Sequence, residues 1–499
     1  MGKVIKRVLI ANRGEIACRV MHTCQELGIE TIAIFSDGEE NALHVQTADD
    51  SYSLGEGGLS DTYLNKKKII DIAKEAKVCA IHPGYGFLSE NADFCELVEK
   101  NKIVFIGPKV EHIKLMGDKI TSKNKMMEIG TPVIPGYQGS DQGSESLKKQ
   151  ANIIGFPILI KASAGGGGKG MRIVYKEENF YQELEAAKRE AASSFGNDHV
   201  LIEKYITKPR HIEVQVMSDT HQNHLHFYER ECSIQRRYQK IVEETPSVAL
   251  DNELRLKICQ TAVKITTSIN YRGAGTVEFI LDEDGHFYFL EMNTRLQVEH
   301  PITELVTGVD LVQLQIQVAN EEEIAINQDD IGQKGHAIEV RIYAEDPENN
   351  FFPTTGTIHK VGSQRRPGVR LDSGVKDGDH VGVSFDPMVA KLIAYSSSRD
   401  ACIQKMKKAI VDYPFLGLKT NREYLLKVLS HENFKNGSTY TNFVTENKEI
   451  NNSQVDELEA ALSALVFLKG KHEAVLASSS SDEIYQMKED FSNFRNHDL

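Results

Sequence analysis

The chain has 499 residues, 40% of them hydrophobic and 26% charged, an ordinary balance for a soluble enzyme with material for two to four structural units. A formal net charge of −14 argues against a nucleic-acid partner and requires any polyanion site to be locally basic. The cysteines are scattered without a C-x-x-C spacing, no apolar run is long enough to span a bilayer and the N-terminus lacks a signal-peptide pattern, so neither structural zinc nor a membrane segment is expected, and the default location is cytoplasmic.

The chain starts with a strand-like run, Lys6-Arg7-Val8-Leu9-Ile10-Ala11, a tight turn, Asn12-Arg13-Gly14-Glu15, and a helix start. Glu30–Phe35, Val78–His82 and Ile103–Gly107 are further strand candidates with helical patterns between them. This alternation predicts a parallel, doubly wound unit over residues 1–115. The first turn is not G-x-G-x-x-G, so it predicts no dinucleotide site. His82-Pro83-Gly84-Tyr85-Gly86-Phe87-Leu88-Ser89-Glu90-Asn91 is too rich in Gly and Pro for an element interior. It reads as a loop at a strand end, where open α/β sheets bind ligands.

A second unit is centred on Pro157–Val174, a strand, a glycine run (Gly165 to Gly168) and another strand. Gly168-Lys169 is followed by Gly rather than Ser or Thr, which excludes a Walker A loop. A glycine hairpin between two strands can instead lie over a nucleotide and offer backbone N–H groups to its phosphates. Lys161, entering the loop, and Lys119 are candidates for phosphate contact. His199–Ile206 and Pro209–Val216 follow as strands, and Glu231–Lys240 reads as a cationic loop carrying Arg236, Arg237 and Lys240.

Two β-rich runs, Gly273–Leu281 and His286–Glu291, flank Asp282-Glu283-Asp284-Gly285 and predict a hairpin. With a two-residue turn Glu278 faces Glu291; with a four-residue loop the two are diagonal, and either register puts both carboxylates on one face. Beyond them, Glu291, Asn293, Arg295, Gln297 and Glu299 alternate with Met292, Thr294, Leu296 and Val298. Extended chain sends such a series to opposite faces, one polar and one apolar. Adjacent like charges are unfavourable across a sheet, and a hard divalent cation between them reverses the sign. Glu278, Glu291 and Asn293 are therefore candidate ligands for Mg²⁺ or Mn²⁺ carrying substrate phosphates.

Ala11–Ala17, His82–Asn91, the glycine run, Gln235-Arg236-Arg237 and Glu291–Pro301 together give a chain that resembles the biotin carboxylase component of biotin-dependent carboxylases, within the ATP-grasp superfamily, over about residues 3–447. The resemblance implies an α/β protein of three parts: the N-terminal doubly wound parallel-sheet domain, an ATP-grasp domain at 120–320 whose mobile lid covers about 133–204, and a C-terminal α+β domain at 335–447. It implies that ATP contacts Lys119, Lys161, Gly166, Gly167, Glu203, Lys204, Tyr205, Ile206, His211, Gln235 and Tyr238, with Glu278, Glu291 and Asn293 carrying the metal. Lys240, Arg295, Gln297 and the Val298 backbone would hold bicarbonate, and Glu299 would take its proton. Arg341 would stabilise the biotin enolate, Arg295 would help orient the reaction and Tyr85 would lie near the biotin ring. Tyr238 departs from the His typical of the bacterial acetyl-CoA carboxylase component, which loosens any assignment to that acceptor.

Beyond residue 451, Gln454–Leu468 reads as a short amphipathic helix and the remainder as a polar tail, of a size that resembles stand-alone pyruvate carboxylase A subunits. The chain has no biotin-attachment motif, so the resemblance implies that biotin comes on a separate biotin carboxyl carrier protein, with a carboxyltransferase subunit downstream and a homodimer as the family's usual state. The acceptor, whether acetyl-CoA, propionyl-CoA, pyruvate or 2-oxoglutarate, is open. Two alternatives stand beside this reading: a biotin-independent ATP-grasp ligase, and a silent assembly subunit that binds nucleotide structurally.

Overall fold

In the computed structural model of the chain, residues 4–162, 171–195, 197–237, 239–362 and 366–451 are described. The apolar runs near the N-terminus form a parallel sheet of β1 (Arg7–Ile10), β2 (Glu30–Ser36), β3 (Asp50–Gly55), β4 (Ala80–His82) and β5 (Val104–Phe105), ordered β3-β2-β1-β4-β5. The order reverses at β1, so the sheet is doubly wound and its loops open a crevice beside that strand. β3 escaped the sequence reading because Asp-Ser-Tyr-Ser-Leu-Gly has little apolar signal, and as an edge strand it pairs with β2 alone. In the helix Gly14–Glu26, Ile16, Ala17, Val20, Met21 and Cys24 recur at helical spacing and bury against Val8 and Ile10 of β1. Each large aliphatic side chain buried this way contributes about 1.5–3 kcal/mol.

A separate antiparallel sheet holds β6 (Gly136–Tyr137), β7 (Ile158–Ala162), β8 (Arg172–Val174) and β9 (Val200–Lys204), ordered β6-β9-β7-β8. Its core includes Leu147 and Ala151 from one helix and Phe180, Leu184 and Ala187 from another. β7 and β8 pair directly, Ile158 with Val174 and Ile160 with Arg172, so two strands do frame the glycine run. The run itself, with Gly166 and Gly167, lies outside the described residues, as do Tyr238 and everything beyond 451, including the expected helix at 454–468.

The largest sheet has eight antiparallel strands: β10 (Arg210–Ser218), β11 (His224–Arg236), β12 (Gln239–Thr245), β13 (Gly273–Leu281), β14 (Phe287–Asn293), β15 (His336–Tyr343), and the strands Val369–Ser373 and Met388–Ser396. Its order is β14-β13-β10-β11-β12-β15, then Met388–Ser396, then Val369–Ser373. Through the β12–β15 seam, where Val242 meets Val340 and Glu243 meets Glu339, the central and C-terminal regions share one sheet.

Two expectations change here, and a third is met by a route the sequence did not suggest. The Glu231–Lys240 run is not a cationic loop: it is the end of β11 and the start of β12. Arg236 lies buried on the sheet because its Nη2 donates to both Glu345 oxygens, at 2.7 and 2.6 Å. In the hairpin, Leu281 pairs with Phe287, and a register shift after Glu278 leaves Leu290 42% exposed. Neither predicted loop is found, since the strands part at Leu281 and Phe287, but the bulge restores the direct pairing of Glu278 with Glu291, and both carboxylates share one face as expected. Finally, the extended chain stops at Asn293; residues 294–299 turn into the helix His300–Thr307, and Gln297 and Glu299 are both buried. No helix among the described residues is long and apolar enough to cross a membrane.

Candidate active site

The centre of the site is the Lys240 ammonium on β12. Its Nζ donates to Glu213 Oε2 at 2.5 Å, Glu278 Oε1 at 2.9 Å and Glu299 Oε1 at 2.7 Å. β10 and β13 are adjacent, and Glu213 pairs with Glu278 across them. Burial works against the ammonium, but Glu213, Glu278 and Glu299 together hold its pKa well above the ordinary lysine value. Arg230, fully buried, backs Glu213 with its Nε at 2.5 Å and also donates to Gln215, Thr276 and Thr303. A buried carboxylate cluster of this kind is tolerable only when cations and hydrogen bonds match it.

Glu299 is fully buried between two cations. Oε1 receives Lys240, and Oε2 receives Arg341 Nη2 at 2.9 Å. Burial pushes its pKa up, yet Lys240, then Arg341 and Arg230, hold it well below the usual carboxylate range. The Arg341 Nε donates to Glu243 Oε1 at 2.6 Å, which fixes the guanidinium. Burial raises Glu243 to about 7, more than Arg341 lowers it, and the nearby Glu299 charge adds to the rise. The Cys232 thiol lies 3.9 Å from Glu299, and burial and the surrounding carboxylates keep it well above its ordinary pKa, so it stays a protonated thiol.

On the other side of Lys240, Glu278 accepts from His211 Nε2 at 2.7 Å, Asn293 Nδ2 at 2.8 Å and Gln297 Nε2 at 3.1 Å. Gln235 Nε2 sits 2.7 Å from His211 Nδ1, so with the amide donating, the ring proton lies on Nε2 and points at Glu278. Despite burial, Lys240 and His211 hold Glu278 well below the ordinary range. Glu291, directly opposite, moves the other way: burial and the Glu278 charge raise it, and the exposed Lys119 only partly offsets this. Glu291, facing the ionised Glu278 with only this partial relief, and the neighbouring Asn293 amide complete a donor set that fits a hard divalent cation. His211, Glu213 and Glu278 also bring ligand atoms within 4.8 Å of one another, but Lys240 already neutralises that group.

Arg295 fans across the turn. Its Nε donates to Glu90 Oε2 at 2.8 Å, Nη1 to Gln297 Oε1 at 3.1 Å and Nη2 to Asn293 Oδ1 at 3.2 Å. Glu90 comes from the N-terminal loop and also accepts from the Thr294 N–H at 3.0 Å. That loop, His82–Asn91, is pinned by Asn12 Nδ2, which donates to the Pro83 and Tyr85 carbonyls at 2.8 Å each. Gly84 has φ +63°, and a Cβ there would sit 2.8 Å from Asn12 Nδ2, so only glycine fits. The Tyr85 hydroxyl is buried without a hydrogen-bond partner.

The residues of the smaller sheet gather apart from the Lys240 cluster. Glu203 on β9 accepts from Lys161 Nζ at 2.5 Å and Lys123 Nζ at 3.0 Å. Burial raises Glu203, and Lys161 followed by Lys123 overcomes this and lowers it. Lys204 spends its ammonium on the Gly155 and Phe156 carbonyls, at 2.9 and 3.1 Å, and its N–H on the Pro135 carbonyl at 2.8 Å. Tyr205 and Ile206 lie in the segment leading from β9 to β10.

The structure thus brings Lys240, Glu299, Arg341, Glu278, Glu291, Asn293, Arg295, Gln297, His211 and Gln235 into one hydrogen-bonded neighbourhood. It adds Glu213, Arg230, Glu243 and Glu90, which the sequence reading did not single out. Glu213 and Glu243 each sit in a strand, and nothing in the local pattern tells that one will meet Lys240 and the other Arg341.

Three family models match the chain: the biotin carboxylase N-terminal domain over residues 4–113, the ATP-binding domain of the carbamoyl-phosphate synthase L chain over 118–327, and the biotin carboxylase C-terminal domain over 339–446. They define an ATP-grasp protein flanked by biotin carboxylase domains. The chain is 47% identical to biotin carboxylase 1 of Bacillus subtilis over 442 residues, 88% of this chain and 98% of that one. It belongs to the biotin carboxylase family. It is also 48% identical to the mitochondrial methylcrotonoyl-CoA carboxylase subunit alpha of Rattus norvegicus over 89% of its length, and spans 62% of that longer protein. Among solved structures, the biotin carboxylase domain dimer of Hydrogenobacter thermophilus 2-oxoglutarate carboxylase, in complex with MgADP, ADP and bicarbonate, is 44% identical, with a TM-score of 0.82, covering 91% of this chain and all of that one.

Proposed function

We propose that the chain catalyses the ATP-dependent carboxylation of biotin, borne by a separate carrier protein, with bicarbonate through carboxyphosphate. The observation that carries this reading is Glu299, buried and ionised between Lys240 and Arg341 beside the Arg295–Gln297 turn. Lys240, Arg295, Gln297 and the Val298 N–H bind bicarbonate, and Glu299 accepts its proton as the carbonate oxygen attacks the γ-phosphorus of ATP. A carboxylate held this far down is a weak base. Bicarbonate engaging Lys240 and Arg295 brings a negative charge beside Glu299 and takes up part of the cationic field that holds it down, which raises its proton affinity as substrate arrives.

Glu278, Glu291 and Asn293 hold Mg²⁺ or Mn²⁺, which supplies charge neutralisation on the transferring phosphoryl group. Lys119, Lys161 and the glycine run contact phosphates; Glu203, Lys204, Tyr205 and Ile206 hold the adenine end, with His211, Gln235 and Tyr238 completing the nucleotide contacts. Carboxyphosphate releases CO₂ and phosphate, and that phosphate takes the proton from the ureido nitrogen of biotin. Arg341, locked by Glu243, stabilises the enolate, and the unsatisfied Tyr85 hydroxyl lies toward the same substrate. A biotin carboxyl carrier protein, a carboxyltransferase subunit, a homodimer like the Hydrogenobacter domain and a cytoplasmic location complete the reading; the free state of the seven cysteines supports a reducing compartment.

The test is ATP hydrolysis by the purified chain with Mg²⁺ and bicarbonate, with and without free biotin. Stimulation by biotin that requires bicarbonate establishes the half-reaction. Turnover indifferent to both points to another ATP-grasp ligase, and tight ATP binding without turnover points to a silent subunit.

A further inference from the structure

Lys391 is fully buried, lies outside the machinery assigned above and reaches into its back. It sits on Met388–Ser396, paired with Arg341 on one side and Asp372 on the other, so one row across three strands reads Arg341, Lys391, Asp372. Its Nζ donates to the Val298 carbonyl at 2.7 Å. That carbonyl belongs to the peptide joining Val298 to Glu299. Two carboxylates lie against the ammonium: Glu15 Oε2 at 3.3 Å and, at 3.8 Å, Asp372 Oδ2, which is shared with Arg370 Nη2 at 2.7 Å.

Glu15 comes from the Asn12-Arg13-Gly14-Glu15 turn, a motif the proposed chemistry does not otherwise use. It reaches Lys391 because the turn presses against Gly374. A Cβ on Gly374 would lie 2.5 Å from the Glu15 N–H nitrogen, so any side chain there would push the turn away. The same ammonium stands 6.0 Å from the centroid of the Tyr85 ring.

We infer that Lys391 is a positioning residue: braced by Glu15 and Asp372, it fixes the Val298–Glu299 peptide and so sets the bicarbonate-binding turn and Glu299 against the row that carries Arg341. This rests on the functional reading above. A buried ammonium with a backbone acceptor has a single low-energy place for that carbonyl, whereas an apolar side chain would leave the carbonyl unsatisfied and the turn free to rotate. Misplacing a reacting group by about an ångström costs on the order of a hundredfold in rate.

The experiment compares wild type with Lys391→Met, Lys391→Arg and Asp372→Asn, measuring bicarbonate-dependent ATP cleavage across bicarbonate concentrations, and ATP affinity by calorimetry. Lys391→Met is expected to lower kcat/KM for bicarbonate by roughly tenfold or more with ATP affinity within about twofold, and Lys391→Arg to recover part of the loss. Asp372→Asn keeps the ammonium and is expected to move the same parameter by less. If Lys391→Met does not fold, Lys391→Arg and Asp372→Asn carry the comparison, and bicarbonate kinetics identical to wild type in both overturn the role. Bicarbonate and ATP parameters falling together in every variant, without recovery by Arg, also overturn it, because that is loss of fold. Wild-type turnover with an unaffected Lys391→Met removes the positioning role alone; no bicarbonate-dependent turnover in wild type removes the functional reading with it.

Discussion

At the scale of single residues, the site is a charge arrangement in which carboxylates outnumber cations, and the titration of its members follows from that. Glu299 is the member held ionised by two cations, so Glu299→Gln removes the proposed proton acceptor while keeping a hydrogen-bonding side chain of the same shape. Bicarbonate-dependent ATP cleavage is expected to fall by about 10²–10⁴-fold with nucleotide binding intact, read by steady-state kinetics beside calorimetry. Retained turnover would sink the assignment of the base. Glu243 shows the opposite behaviour, because burial and neighbouring carboxylates raise it from 4.5 to about 7. A carboxyl whose folded pKa is raised gives stability that is full below its unfolded value and is lost as pH rises through the folded one. Between pH 4.5 and 7 the wild type therefore loses stability that Glu243→Gln keeps, by up to about 3 kcal/mol. Urea midpoints of the two proteins at pH 5, 6, 7 and 8 check the sign. A Glu243→Gln protein that loses stability relative to the wild type as pH rises contradicts it.

Elements set which of these groups meet. The sheet β6-β9-β7-β8 carries its own small core and gathers Lys161, Lys123 and Glu203. Under the proposed function, a bound nucleotide offers Lys161 phosphate oxygens as an alternative to Glu203. Lys161→Met is expected to weaken ATP binding by about 1.5–3 kcal/mol, the worth of a charged hydrogen bond, and to leave the melting temperature nearly unchanged. Calorimetric titration with ATP tests it, and an unchanged affinity assigns Lys161 to the structure of that sheet alone. The β13–β14 hairpin shows how far a local pattern carries. Strand propensity and the Asp-Gly turn predicted the two strands, and the alternation predicted that Glu278 and Glu291 share a face. The bulge at Leu290 that makes them directly opposed left no sequence signal, since a one-residue shift depends on how Phe287 and Phe289 pack beneath the sheet. Arg236 and Lys240 sit on strands rather than in a solvated loop for the same reason: the carboxylates that bury their charges, Glu345 and Glu213, lie far off in the chain.

On the scale of the whole molecule, the chain up to Ile450 forms one compact unit, with the central and C-terminal regions sewn into one sheet at β12–β15. A chain ended at Ile450 is expected to unfold in a single transition at the same temperature as the full chain and to keep its ATP cleavage. A lower midpoint or lost activity would show that residues 451–499 brace the unit. The sequence by itself determined what depends on neighbours a few positions apart: the strand and helix periods, the turn at Asn12–Glu15, the loop at His82–Asn91 and the residue types of the Glu291–Glu299 run. Those patterns, read together, were enough to place the chain in its family. Only the tertiary structure decided that Glu213 and Glu278 share Lys240, that Glu243 locks Arg341, and that Glu15 meets Lys391. Each of those contacts joins strands or turns distant in the chain, and strand order and register follow from how whole faces bury together, which no local window of residues specifies.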